Sequence, residues 1–257
     1  MPSYQPVAAA LRGLEILRQV NALQPASVKA LHQATGIDKA TIVRMLETLI
    51  HAGYVAQHPA GYQVTGRVLQ LSAGFDLHQK AAQLAGPVMA RFRQAVGWPS
   101  DIAVRDGDAM IVVGTSREPG PLSFNRRPGF RAPIPQTSIG KAYLAHCPDT
   151  ERAEILAQLR ASAEGDPLPA DGVLDRMLAG IREQGFAVMD DGYSEREYGG
   201  TLWAMAVPVM AGGRLYGALN IMMLRQAVTQ DMARETYLPQ LRAAAAELAA
   251  AFRDGGL

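Results

Sequence analysis

Between Ala8 and Leu23 the apolar residues Leu11, Leu14, Ile16 or Leu17, Val20 and Leu23 recur at helical spacing and predict a first helix. After QPA, Ser27 is an N-cap for VKALHQATG, and Gly36 fits the left-handed position that ends a short second helix. Asp38 is then an N-cap candidate for a third helix running to about Ala52, with Gly53 as its stop. Two helices joined by a tight glycine turn make a helix-turn-helix. On the third helix Ile42, Leu46, Leu49 and Gly53 share one narrow sector, flanked by Met45 and Ile50, which faces a core. The opposite side displays Ala40, Arg44, Glu47 and His51, flanked by Thr41, Val43 and Thr48, with Lys39 in the first turn. Small residues at the start and polar ones beyond suit entry into a DNA major groove; the same pattern also fits a solvated surface helix, and the neighbouring elements must decide.

Those neighbours are YVAQHPAGYQVT, two short alternating strands about a Pro59-Ala60-Gly61 turn, so residues 1–65 read as a winged helix. Thr65 caps a predicted linker helix over 66–80, with Val68, Leu71 and Phe75 on one side. Beyond it the pattern is mixed. A helix over LAGPVMARFRQAV precedes two strands about Asp106-Gly107, a strand candidate PLSFN, an Arg- and Pro-rich loop, and the helix IGKAYLAHC. Helices at about 149–160 and 171–185 follow, then the strands FAVMD, TLWAMAVPVM and RLYGALNIMML and a closing helix from about Gln230. This order gives residues 81–257 an α+β sheet architecture.

Composition narrows the classes. No apolar run is long enough to cross a bilayer, and the start MPSYQPVAAALRG lacks a signal peptide's basic region and apolar run, so a cytoplasmic protein with no membrane partner is expected. The single cysteine, Cys147, cannot form an internal disulfide, and the five histidines show no ligand spacing, so neither a metal nor a cofactor is expected. Net charge is +1, with residues 1–80 contributing +3 (seven Lys/Arg against four acids) and the remainder −2.

The stretches RGLEILRQVN (12–21), ATGIDKATIVRMLETLIHAGYV (34–55), TSIGKAYLAHCP (137–148) and AVPVMAGGRLYGALNIM (206–222) stand in the order of the IclR family of bacterial transcriptional regulators, which the chain resembles over nearly its whole length. The resemblance implies a GAF-like second domain that binds a small metabolite, and a homodimer or homotetramer. WPSD (98–101), LSFNR (122–126) and GALNI (217–221) resemble the branch that activates catabolic genes for aromatic acids, particularly hydroxyphenylpropionate-type regulators. Where many members carry a small-polar pair on the last strand, this sequence has Asn220 and Met222, with Trp203 on the neighbouring strand, which argues against a very small keto-acid effector.

The candidate effector residues follow. Thr137 or Ser138 caps a helix whose Ser138 and Ile139 amides can meet a carboxylate, with Gly140 allowing close approach, and the resemblance puts the effector loop here. Trp203, Asn220 and Met222 can line one sheet face as a pocket, or simply be core. Arg126, Arg127 and Arg131 offer carboxylate partners or subunit contacts. The acidic stretch Asp190, Asp191, Glu195 and Glu197 reads as a lid or a solvated loop. Ser138 and Lys141 also spell the S-x-x-K of serine acyl hydrolases, but the companion S-D-N and K-T-G elements are absent, so no catalytic residue is assigned. The expected partners are therefore a double-stranded DNA operator and a small organic, aromatic acid. Arg44 is expected to meet a guanine or a phosphate, Lys39 and Thr41 to fix the helix on the backbone, and Ala40, Val43, Glu47 and His51 to complete the reading face, with Gln57 and His58 reaching the adjacent groove from the wing.

Overall fold

The computed structural model describes residues 4–72, 76–117, 128–161 and 168–257. The chain divides into two compact units, residues 1–76 and 77–257.

In the first unit the caps act where the sequence puts them. Ser27 Oγ accepts from the Ala30 amide (3.1 Å) at the start of α2 (Val28–Thr35), and Asp38 accepts from the Thr41 amide (2.8 Å) at the start of α3 (Lys39–His51). The turn between them is stitched by Thr35 and His32: the Ile37 amide donates to Thr35 Oγ1 (3.2 Å), and His32 Nδ1 lies 2.7 Å from the Ile37 carbonyl. With α1 (Ala8–Ala22) these helices bury Ile16, Val20, Leu31, Ile42 and Leu46 in one core, while Ile50, predicted at its margin, is exposed. The wing is the antiparallel pair β1 (Val55–His58) and β2 (Gly61–Val64), and Ala26 adds a single bridging rung to β2 through two backbone hydrogen bonds with Tyr62. Gly61 sits at φ 146°, where a Cβ would stand 2.6 Å from the Ala26 carbonyl oxygen, so this rung requires glycine.

The predicted linker helix over 66–80 is not one element. Gly66–Ser72 is a 3₁₀ helix, and α4 runs from Asp76 to Val96, continuous with the helix expected over 84–96; Phe75 lies outside the described residues. Thr65 explains the first departure. Its hydroxyl donates to the Gly53 carbonyl (2.6 Å) and accepts from the Arg67 amide (3.2 Å), which ties the turn to the chain just after α3.

The second unit is built on a six-stranded antiparallel sheet in the order β5-β4-β3-β8-β7-β6. Its strands are β3 (Asp101–Asp106), β4 (Ala109–Thr115), β5 (Arg131–Pro133), β6 (Ala187–Val188), β7 (Leu202–Ala211) and β8 (Arg214–Leu224). β5 lies in the segment expected to be loop; PLSFN falls outside the described residues. One sheet face packs against α4 and α10 (Leu238–Asp254), burying Phe92, Ile102, Leu219, Ile221 and Phe252. The other carries Ala103, Ala206 and Ala218, a low floor on which α5 (Ser138–His146) lies; α6 (Asp149–Ala161) and α7 (Asp171–Gln184) add Ile155, Leu174 and Leu178 to the same core. The closing helix is broken into α9 (Gln230–Thr236) and α10, where Pro239 lies in the first turn of α10 and lacks the amide hydrogen that would continue the α9 ladder. No helix among the described residues is long and apolar enough to cross a membrane.

Candidate functional site

Two surfaces carry the residues singled out above. On α3, Lys39, Ala40, Val43, Arg44, Glu47 and His51 are exposed and Thr41 is half-buried, while Ile42 and Leu46 point into the core. Among the described residues Lys39 and Arg44 have no ion-pair partner, so both charges remain available. Gln57 and His58 are exposed on β1 at the wing tip, where His58 Nδ1 accepts from the Ala60 amide (3.2 Å). The amphipathic split of α3 is complete: the buried side seats the helix and the outer side offers its polar groups to a partner.

The second surface is the α5-covered face of the sheet. Thr137, not Ser138, is the cap: its Oγ1 accepts from the Gly140 amide (3.2 Å) and donates to the Pro133 carbonyl (2.6 Å). Thr137→Ala is expected to lower stability by about 1–2 kcal/mol, with Thr137→Ser recovering most of it, checked by urea unfolding. Gly140 does not make room for a ligand. A Cβ there would lie 2.3 Å from the Ile134 carbonyl oxygen, so its close approach is to the preceding loop. Asp190 comes to this helix end: its amide donates to the Gln136 carbonyl (2.8 Å) and its carboxylate lies 3.9 Å from Lys141 Nζ. Burial holds the Lys141 amine below the ordinary lysine range, and Asp190 and Asp191 offset part of that shift. The stretch read as an acidic lid or loop is instead a helix, α8 (Asp191–Tyr198). Asp190 caps it by accepting from Gly192 and Tyr193, and the Asp191–Arg225 ion pair (2.6 Å) ties it down.

Strand register corrects the predicted pocket wall. Trp203 pairs with Met223, whereas Ala204 pairs with Met222 and Ala206 with Asn220. Trp203 therefore points to the α4/α10 face with its indole donating to the Val228 carbonyl (3.0 Å), while strand alternation puts Asn220 and Met222 on the face of Ala206 and Ala218, although Met222 also packs into the same buried cluster as Trp203. Trp203, Asn220 and Met222 are all buried, but only Asn220 and Met222 share the face of Asp190 and the α5 start. The Met189 amide donates to the Ala204 carbonyl (2.9 Å), so Ala204 bridges the two groups. Arg126 and Arg127 lie outside the described residues. Arg131 turns away from this site, forking between Asp106 and Asp108 at 2.6 Å each.

Two residues that pattern reading passed over complete this face. Arg117, just past β4, grips Asp101 through Nε (3.1 Å) and Nη2 (2.8 Å) and also touches Met222 Sδ; its side chain is 6% exposed and that of Asp101 0%. Asn220 Oδ1 accepts from the Asp101 amide (2.7 Å). Among the described residues Arg117 Nη1 and Asn220 Nδ2 are buried without a hydrogen-bond partner, and such a donor costs about 1–3 kcal/mol each. Counting outward from the Gly107-Asp108 turn places Asp101 opposite Gly114, and the register shift between Ile102 and Ala103 moves its partner to Thr115, two residues before Arg117. The groove lined by Arg105, Tyr143, Glu151, Arg214, Tyr216 and Phe252 opens at the other end of β3 and β8 and holds none of the expected effector residues. Burial pushes the Cys147 thiol up to about 11, so it is protonated and unreactive near neutrality.

Against known proteins, a family model described as the IclR helix-turn-helix domain matches residues 9–59, and one described as the bacterial transcriptional regulator IclR C-terminal domain matches 77–250. The chain is 28% identical over 225 residues to the Pca regulon regulatory protein of Pseudomonas putida, covering 86% of this chain and 76% of that one. It is 27% identical over 251 residues to the transcriptional regulator SauR of Cupriavidus necator, covering 95% and 97%. In fold it is similar to an IclR homolog from Microbacterium hydrocarbonoxydans solved in complex with 4-hydroxybenzoate, at TM-score 0.67 and 20% identity over 96% of this chain and 100% of the other.

Proposed function

From the premise that this chain belongs to the IclR family of bacterial transcriptional regulators, we propose that it controls catabolic genes in response to a small aromatic acid. The observation that carries the regulatory reading is α3: a capped helix seated by Ile42 and Leu46, with Lys39, Arg44, Glu47 and His51 turned outward and both cations unpaired among the described residues. Such a face lies in a major groove, where Arg44 contacts a guanine edge or a phosphate and Lys39 and Thr41 set the register, while Gln57 and His58 approach the backbone beside it. One winged helix offers few contacts, so two copies reading two half-sites are needed, in a homodimer or homotetramer. Arg44→Ala is expected to cost about 1–3 kcal/mol of operator affinity, measured by fluorescence anisotropy; an unchanged affinity removes Arg44 from the reading face.

The acid side of the reading is supported by the α5 amino terminus, Asp190, Asn220 and Met222 on one face, by the Pca regulator among the relatives, and by a fold that takes 4-hydroxybenzoate in the Microbacterium protein. Acid binding changes DNA occupancy only if the acid favours one DNA-binding state of the protein over another. A thermal-shift screen with benzoates, phenylacetates and phenylpropionates tests this: the effector raises the melting temperature of the second unit, because it binds the folded state alone. If no aromatic acid shifts the melt, the aromatic reading is wrong.

A further inference from the structure

We propose that Arg117 and Asn220 form a paired donor set that receives the carboxylate of the acid, held in place by Asp101. The inference rests on reading the second unit as an acid-binding domain, and adds the group that recognises the acid end.

The geometry begins with Asp101, which is fully buried at the first position of β3. It organises both donors. Its two carboxylate oxygens are occupied by Nε and Nη2 of Arg117, and its backbone amide occupies Asn220 Oδ1. Each donor is thus fixed by one edge and left with one NH2 group that Asp101 does not satisfy: Nη1 on the guanidinium and Nδ2 on the amide. Both atoms are enclosed, so bulk water does not reach them. A carboxylate supplies two acceptor oxygens for two donors, and one of those donors is cationic, which favours an anion over a neutral carbonyl. Met222 stands two residues beyond Asn220 on the same face, against Arg117, and Ala204 opposite it leaves the floor apolar and shallow. An acid with a flat apolar body therefore has its charged end at Arg117 and its body over Met222 and Ala204. The alternative occupant of the two donors is an ordered water, and the test separates them.

Removing Arg117 alone would strand Asp101, so two other changes are used. Arg117→Lys keeps a cation beside Asp101 but lacks the planar second arm. Asp101→Leu combined with Arg117→Met removes the pair together and keeps the site filled. Calorimetric titration of the full chain with 4-hydroxybenzoate, 4-hydroxybenzamide, benzoate and pyruvate is the measurement, with circular dichroism confirming the fold. The expected result is that an acid binds the wild type, the amide binds at least about tenfold more weakly, and both variants lose about tenfold or more in acid affinity. If an aromatic acid binds wild type and variants alike, the donor pair holds water and the proposal falls while the effector reading stands. If only pyruvate binds and both variants lose it, the donor pair stands and the aromatic reading falls. If no acid binds the wild type, both fall.

Discussion

Asp101→Ala is expected to destabilise the second unit by about 3–5 kcal/mol, because it leaves the Arg117 guanidinium buried without its counter-charge. The Asp101 side chain is 0% exposed and that of Arg117 6%, so water cannot compensate for the missing carboxylate. Truncation also opens a small gap beneath Asn220, whose Oδ1 depends on the Asp101 amide staying in place. The expected signature in urea is a lower midpoint for the second unit with little change in slope. Asp101→Leu with Arg117→Met should recover most of the loss, since exchanging a buried ion pair for apolar groups of similar bulk is often neutral. Equal stability of Asp101→Ala and wild type would mean that Arg117 readily swings out to solvent.

Leu46→Ala is the second large effect, expected to cost the first unit about 2–5 kcal/mol. Leu46 is 1% exposed and sits in one cluster with Ile16, Val20, Leu31, Ile42 and Val55. This cluster is small, so a cavity there removes a large share of the packing that seats α3. Glu47, one position on, is exposed, and Glu47→Ala should change stability by no more than about 0.5 kcal/mol. The contrast between adjacent positions separates the seating side of the helix from its outer side. Chemical unfolding followed by circular dichroism reads both.

The first unit was legible in its sequence because each of its signals is local. Ser27, Gly36, Asp38 and Gly53 punctuate helices whose apolar positions repeat with the helical period, and all four act as caps or left-handed stops in the structure. The site in the second unit depends on strand register, which alternation alone leaves undetermined. Trp203 and Met222 are both apolar and both lie on long strands, yet the pairing of Trp203 with Met223 sends them to opposite faces. Arg117 was invisible for a related reason: its meaning comes from Asp101, sixteen residues away across a hairpin, and from Asn220 on a third strand. Gly140 does permit a close approach, but the atoms that crowd it belong to Ile134. The linker departs from its helical pattern because Thr65 anchors a tight 3₁₀ turn to Gly53, a contact that overrides the pattern downstream.

The outward side of α3 as the reading surface is tested most directly by selection from randomised duplex DNA. Wild type and a variant with Lys39, Arg44, Glu47 and His51 all changed to alanine would be compared after both are shown to melt alike. Wild type should enrich a two-fold symmetric sequence and the variant should enrich none. Recovery of the same sequence by the variant would contradict the account.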